Sequence, residues 1–118
     1  MENKFTIYTK FLNFQKYMYV AIHSFPKEYK FSLGQQIIDK SWETMDIAIS
    51  ANLAENKDKY IEITNLLNSF DKLKTRIRMA HELKVINDKK YAYILKHIVS
   101  IEKDILNWLS WAKSTKPK

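Results

Sequence analysis

The sequence has no cysteine, only one glycine and only two prolines among its 118 residues. Without cysteine, a disulfide framework, a thiolate metal site and a thiol nucleophile are all excluded, and this suits a reducing cytoplasm. A single glycine excludes a glycine-rich phosphate loop. Because helix-breaking residues are scarce and apolar residues recur at helical spacing, the sequence predicts an all-α fold.

Long apolar runs and enzyme motifs are missing as well. The longest apolar runs fall far short of the roughly 20 residues that a membrane helix needs, and the N-terminus does not have the pattern of a signal peptide. A di-iron bundle needs two Glu-x-x-His pairs, and no glutamate here is followed by histidine three residues later. His23, His81 and His97 fall on three predicted helices without a second histidine at ligand spacing. We therefore expect a cytoplasmic protein with no catalytic residue, no metal, no cofactor and no membrane partner.

The apolar periodicity predicts four helices, at about residues 5–23, 27–53, 59–84 and 89–113. Residues 55–59 are expected to form a loop in which Asp58 caps the third helix, and Asn87-Asp88 is expected to cap the fourth. Helices of about 30–37 Å with short connections favour an antiparallel up-down-up-down four-helix bundle. Residues 1–113 would form one domain and residues 114–118 a frayed basic tail. Two long hairpins swapped between subunits are the alternative.

Each predicted helix has an apolar stripe that we assign to the core. The four stripes are Ile7, Phe11, Phe14, Met18 and Ala21; Phe31, Ile38, Trp42, Met45 and Ile49; Ile63, Leu66, Phe70, Leu73, Ile77 and Ala80; and Tyr91, Ile94, Ile98, Ile101, Ile105, Trp108 and Ala112. A row of small residues, Ser41, Ala48 and Ala51, runs beside the second stripe.

A corner around Pro26 separates the first two predicted helices. Proline fixes its own φ and disfavours the α region for the residue before it, so the first helix should end by Phe25. Gly34 then falls inside the second helix, where glycine costs roughly 1 kcal/mol relative to alanine. Because glycine is unfavourable there, we expect that another group packs closely against Gly34; the alternative is that the helix merely tolerates the glycine.

Positive charge is concentrated in the last two predicted helices. The formal net charge is +7, and residues 57–118 carry all of the excess because acids and bases balance before them. The bases cluster around the turn between these helices, at Lys72, Lys74, Arg76, Arg78, Lys84, Lys89 and Lys90. A phosphate backbone is a natural ligand for this predicted patch. The alternative is an ordinary solvated helix face.

The apolar surface is larger than one bundle needs. Additional apolar rows lie beside the stripes of the first and fourth helices. They widen the apolar face of each helix beyond what one core can bury, and this indicates a second packing partner. The predicted oligomer interface comprises Phe5, Leu12, Tyr19, Val99, Leu106 and Trp111. Because the second helix carries an acidic row at Asp39, Glu43 and Asp46, unlike surfaces of neighbouring subunits could meet and close into a ring.

Several segments carry a resemblance to a known family. The turn Phe25-Pro26-Lys27, followed by Leu33-Gly34 and Ile37, is similar to the hinge of a small four-helix-bundle family. Its members include the accessory variability determinant (Avd) of diversity-generating retroelements and the S23 proteins encoded in intervening sequences of 23S ribosomal RNA genes. Segment 73–84, LKTRIRMAHELK, together with Lys90-Tyr91 and Trp108-Leu109, resembles the Avd branch.

The resemblance implies a homopentameric ring with a basic surface. In the Avd branch this ring binds the reverse transcriptase and RNA or DNA, has no catalytic activity of its own, and supports mutagenic copying of a template RNA. Segment 51–56, ANLAEN, is similar to part of the 23S-associated pattern. An oligomeric interaction protein associated with ribosomal RNA, without a polymerase partner, is therefore the second functional class. Only the resemblance suggests five subunits.

Overall fold

Four long helices and one single-turn helix make up the described part of the chain. The computed structural model describes the backbone of residues 3–115 and the side chains from Thr6 onward. In chain order the elements are α1 (Asn3–His23), α2 (Lys27–Lys30), α3 (Leu33–Leu53), α4 (Asn56–Glu82) and α5 (Asp88–Thr115). The described part of the chain contains helices and turns but no strand.

The long helices form one closed bundle within a single chain. α3 packs on α4, α4 on α5, α5 on α1 and α1 on α3, so α1 lies diagonally across from α4. The bundle measures 50 × 22 × 21 Å. The predicted all-α, antiparallel four-helix bundle is confirmed. The four contacts between neighbouring helices all form within one chain, without an exchange of hairpins between subunits.

The core stripes of α4 and α5 follow the sequence periodicity. All six predicted α4 residues are fully buried, and every predicted α5 residue except the half-buried Tyr91 is buried. On α1 the stripe is correct from Ile7 to Met18, but it ends on Ile22, whereas Ala21 is half-buried. Phe11 meets Phe14 and Phe70 edge-on at centroid distances of 5.9 and 6.0 Å. The Phe11–Phe70 contact joins α1 to α4 across the core of the bundle.

The prediction for the inner face of the second predicted helix, residues 27–53, was wrong at three positions. Phe31, Trp42 and Ile49 are exposed, and the row of small residues faces the core instead. The hydroxyls of Thr44 and Ser69 lie 2.6 Å apart across the α3–α4 contact. Small side chains and a direct hydroxyl pair let two helix backbones approach closely, and this approach turns the larger residues outward.

The second predicted helix is interrupted at Phe31 and Ser32, so residues 27–53 do not form one continuous helix. The hydroxyl of Ser32 donates to the carbonyl of Glu28 at 2.8 Å, a local bond that competes with helix continuation. α3 then begins at Leu33, and Gly34 lies in its first turn. A Cβ at Gly34 would lie 2.7 Å from Cγ2 of Ile22. Close packing at this glycine is therefore confirmed.

The α3–α4 connection is shorter than predicted, because α4 begins at Asn56. Asp58 lies in the first turn of α4 and is not its cap, since Glu55 occupies the N-cap position. Lys59, expected in the loop, is buried, and its Nζ donates to the carbonyls of Ala51 and Asn52 at 3.0 and 2.9 Å. These carbonyls belong to the last turn of α3, where a cation also complements the helix dipole.

The α4–α5 turn begins with Leu83 as the C-cap of α4. Lys84 follows with a left-handed φ of 62°, a conformation that usually closes a helix at glycine. The Asn87 side chain accepts a bond from the Lys90 N–H at 2.8 Å, which confirms the predicted cap. α5 continues through Thr115, two residues past its predicted end, and the rest of the predicted tail, residues 116–118, lies outside the described residues.

Candidate nucleic-acid interface

The predicted basic patch is divided between two sides of α4. Lys72 and Arg76, one helical turn apart, lie on the side of α3. Arg76 borders a cleft that also contains Asp39 and Glu43 of α3. The Lys40 ammonium, which donates to Glu43, lowers the pKa of that carboxyl, and Lys72 and Arg76 lower it further. The acidic row on α3 therefore lies beside bases of the same chain.

Lys74 and Arg78 lie on the opposite side of α4, next to α5. Lys74 Nζ contacts Glu102 at 2.6 Å and Asp71 at 3.0 Å. Burial acts to lower the pKa of Lys74, but the hydrogen bonds that its ammonium donates to Glu102 and Asp71, together with the charges of these carboxylates, outweigh burial and raise that pKa. Arg78 lies 4.0 Å from Glu82. Lys74 is thus a structural ion-pair partner, and little of its charge is left for a ligand.

The remaining three predicted residues surround the α4–α5 turn. Lys84, Lys89 and Lys90 are all exposed. Lys89 and Lys90 line a cleft together with Asn87 and two tyrosines. The structure therefore brings these two lysines together, but it separates them from the bases on the α3 side of α4.

A row of lysines along α5 forms a further basic feature of the bundle. Lys89, Lys96 and Lys103 recur every seven residues, so they share one helix face. All three are exposed, and in the described part of the chain none of them forms an ion pair. The acids of α5 have other partners, because Asp88 contacts His81, Glu102 contacts Lys74 and Asp104 contacts Lys10.

Aromatic rings lie next to this lysine row. Tyr93 is four residues after Lys89 and three before Lys96, so it shares their face of α5. The ring of Tyr17, on α1, lies 4.9 Å from that of Tyr93, and the ring of His97, on α5, lies 4.7 Å from it. We call Tyr17, Tyr93 and His97 the aromatic cluster. Exposed rings between unpaired lysines are typical of surfaces that bind single-stranded nucleic acid.

Comparison with known proteins identifies the family. A family model described as bAvd-like matches residues 5–112. The chain belongs to the bAvd-like family. Comparison with curated proteins and with solved structures finds no match. The match covers nearly the whole bundle, so membership applies to all four long helices.

Apolar side chains remain exposed on two faces of the bAvd-like bundle. The α1–α3 face carries a groove of about 320 Å³ whose lining includes Tyr8, Ile49 and Leu53. Between the same two helices, Trp42 donates from Nε1 to the Tyr19 hydroxyl at 2.8 Å. The exposed apolar residues of this face are Tyr8, Tyr19, Trp42, Ile49 and Leu53. The second face, on α5, carries Leu95, Val99 and Leu106. Glu102 lies on the same side of α5 and reaches α4 through Lys74, so this face lies away from α1 and α3.

The predicted interface residues are distributed over these faces. Tyr19, Val99 and Leu106 are exposed, whereas Leu12 and Trp111 are half-buried and pack against the core. The side chain of Phe5 lies outside the described residues.

Between residues 3 and 115, no group of three or more histidine, aspartate or glutamate side chains could hold a metal ion. Over the same residues, no helix is long and apolar enough to span a bilayer.

Neither the lysine row as a unit nor the aromatic cluster of this bAvd-like protein was predicted from the sequence, although Lys89 was predicted as a basic-patch residue. The seven-residue recurrence of Lys89, Lys96 and Lys103 is visible in the sequence and could have revealed the row. The contact between Tyr17 and Tyr93 joins residues far apart in the chain, so local periodicity carries no signal for it.

Proposed function

We propose that this bAvd-like protein is a non-catalytic, nucleic-acid-binding accessory protein of a diversity-generating retroelement. In this proposal a cytoplasmic ring of subunits binds the reverse transcriptase and the template RNA during mutagenic copying. Family membership supports the general assignment. The observation that carries the nucleic-acid part is the row of three exposed, unpaired lysines on α5, which suits a chain of phosphates.

Two variants with the same change in charge test which basic surface binds nucleic acid. One replaces the α5 row, Lys89→Gln, Lys96→Gln and Lys103→Gln. The other replaces three bases of the predicted patch, Lys72→Gln, Arg76→Gln and Arg78→Gln. We expect the first to lose more affinity for labelled RNA, because Glu43 and Glu82 already offset part of the positive charge of the second set.

Salt titration gives the number of phosphates neutralised. For single strands the slope of log affinity against log salt is about −0.7 per phosphate contact, so the α5 variant should show a slope shallower by about 2. Equal binding by the wild type and both variants would contradict the proposal that these lysines bind nucleic acid. Circular dichroism and light scattering on the same samples separate lost contacts from lost folding or assembly.

The retroelement role needs a separate test. Purified reverse transcriptase from a retroelement encoded beside this gene should copy its template RNA only when this protein is added. A gene neighbourhood without a reverse transcriptase or paired template and variable repeats would instead support the ribosomal-RNA-associated class.

Two apolar faces support a ring of subunits within the same proposal. The α1–α3 face and the α5 face lie on different sides of the bundle and carry different residues. Contact between unlike faces leaves one of each free at the ends, so subunits add until a ring closes. Five subunits is the number that the family resemblance implies.

A further inference from the structure

The aromatic cluster leaves one ring accessible. Tyr93 is 46% exposed, although Tyr17 packs against it with an interplanar angle of 50° and His97 meets it edge-on at 67°. Neighbours on two helices therefore hold the Tyr93 ring while part of its surface faces solvent. A ring fixed in this way loses little freedom when a ligand stacks on it.

A cleft adjoins the exposed ring. It encloses about 400 Å³ and is lined by Tyr17, Asn87, Lys89, Lys90 and Tyr93. This volume falls in the range of about 300–1,000 Å³ that is usual for small-ligand sites. Its lining combines aromatic surface with ammonium groups, so it suits a flat apolar ring attached to an anion.

The electrostatics of the cleft favour an anionic ligand. Lys89 and Lys96 lie one turn on either side of Tyr93 and have no acidic partner among residues 6–115. Burial first, and then the neighbouring Tyr93, raise the pKa of Tyr17. The phenol is therefore neutral at pH 7 and places no negative charge near a bound phosphate.

We propose that Tyr93, supported by Tyr17, stacks on an unpaired base of single-stranded nucleic acid, and that Lys89 and Lys96 bind the flanking phosphates. This inference rests on the proposed nucleic-acid binding and names the strand state and the contact residue. A duplex covers the faces of its bases, whereas a single strand can offer a base to an aromatic ring. Every base has such a face, so the contact discriminates single strands from duplexes and reads no sequence.

The test compares Tyr93→Leu with Tyr93→Phe. Leucine keeps an apolar side chain on the helix but removes the ring, and phenylalanine removes only the hydroxyl. The probes are a labelled single-stranded RNA, a duplex RNA of the same length, and an abasic single strand with the same phosphates. Anisotropy at fixed salt should show Tyr93→Leu binding the single strand about 5- to 150-fold more weakly, the range that stacking contributes per base. Tyr93→Phe should bind like the wild type.

Two further readouts identify stacking. A single strand carrying 2-aminopurine should lose fluorescence on binding the wild type and Tyr93→Phe, and lose less on binding Tyr93→Leu. The abasic strand should bind all three proteins equally. Phe31→Leu is the matched control, because the Phe31 ring is 70% exposed but lies outside the cleft and outside both apolar faces, and this variant should bind the single strand like the wild type.

The outcomes separate this inference from the proposed function. Equal binding of the base-containing strand by wild type and Tyr93→Leu would overturn the stacking site and leave nucleic-acid binding intact. Equal losses for duplex and single strand would also overturn it, because the ring would then act without stacking on a base. A wild-type protein that binds none of the probes would overturn the proposed nucleic-acid binding together with the inference.

Discussion

The ammonium group of Lys59 lies 3.0 Å from the backbone carbonyl oxygen of Ala51, so the first turn of α4 caps the last turn of α3. The same nitrogen bonds to the Asn52 carbonyl. Burying a lysine ammonium destabilises the fold unless hydrogen bonds or an opposite charge compensate it. The C-terminus of a helix offers such compensation, because it has unpaired carbonyls and the negative end of the helix dipole. The contact thus satisfies the buried charge of Lys59 and also gives two carbonyls at the end of α3 a hydrogen-bond donor.

Replacing this lysine should destabilise the bundle. Lys59→Met keeps most of the apolar stem but removes the charged donor, so we expect a loss of about 1.5–3 kcal/mol, the usual range for hydrogen bonds to charged groups. Urea unfolding followed by circular dichroism measures it. Lys57→Met is the matched control, because Lys57 is exposed and its contact with the exposed Glu55 is long, at 3.7 Å. This control should change stability by less than about 0.5 kcal/mol. Equal stability of the two variants would contradict the capping role.

Gly34→Ala should destabilise the protein although alanine is the better helix former. The added Cβ would lie 2.7 Å from Cγ2 of Ile22 and 3.3 Å from the Tyr29 carbonyl oxygen. Overpacking costs about 1–3 kcal/mol, against a helix-propensity gain of about 1 kcal/mol, so we expect a net loss of about 1 kcal/mol. In an Ile22→Ala background most of this loss should disappear. Thermal unfolding of the four proteins of this double-mutant cycle measures the coupling, and additive effects would show that Ile22 is not the obstacle.

Glu43 should titrate below the ordinary glutamate pKa of 4.5, chiefly because Lys40 donates a hydrogen bond to it. A lowered pKa stabilises the fold above the pKa of the unfolded chain, and this stabilisation is lost as pH falls through the folded pKa. NMR titration of the side-chain carboxyl measures the value directly. Lys40→Met should raise it toward 4.5, whereas Lys16→Met, on α1, should leave it unchanged. An unchanged pKa in Lys40→Met would assign the shift to Lys72 and Arg76 instead.

The proposed ring predicts complementation between two interface variants. Leu53→Glu and Val99→Glu place a charge on the α1–α3 face and on the α5 face, at side chains that are 78% and 62% exposed. Each variant alone should give monomers of 14.1 kDa in light scattering. A mixture should form a one-to-one dimer that cannot close, because each variant retains the face that the other has lost. Failure of the mixture to associate, when both variants alone are monomeric, would contradict contact between unlike faces. Dimers of either variant alone would instead indicate contact between like faces.

Much of the fold could be predicted from the sequence because helical periodicity is a local property. The stripes on α4 and α5, the corner at Pro26 and the close packing at Gly34 all follow from residue spacing and backbone chemistry. The inner face of α3 did not follow, because that helix carries a large apolar row and a small one side by side. Hydropathy ranks the large row first, but the space left beside α4 admits the small one.

The candidate site was less predictable, because its electrostatics depend on partners far apart in the chain. The sequence alone determined that the excess positive charge lies in the last two helices. Only the tertiary structure decided which charges remain free, since Lys74 meets Glu102 across the α4–α5 contact. It also decided that Tyr17 supports Tyr93 next to Lys89. Residue spacing fixes which side chains share a helix face, whereas the packing of the helices fixes which faces meet.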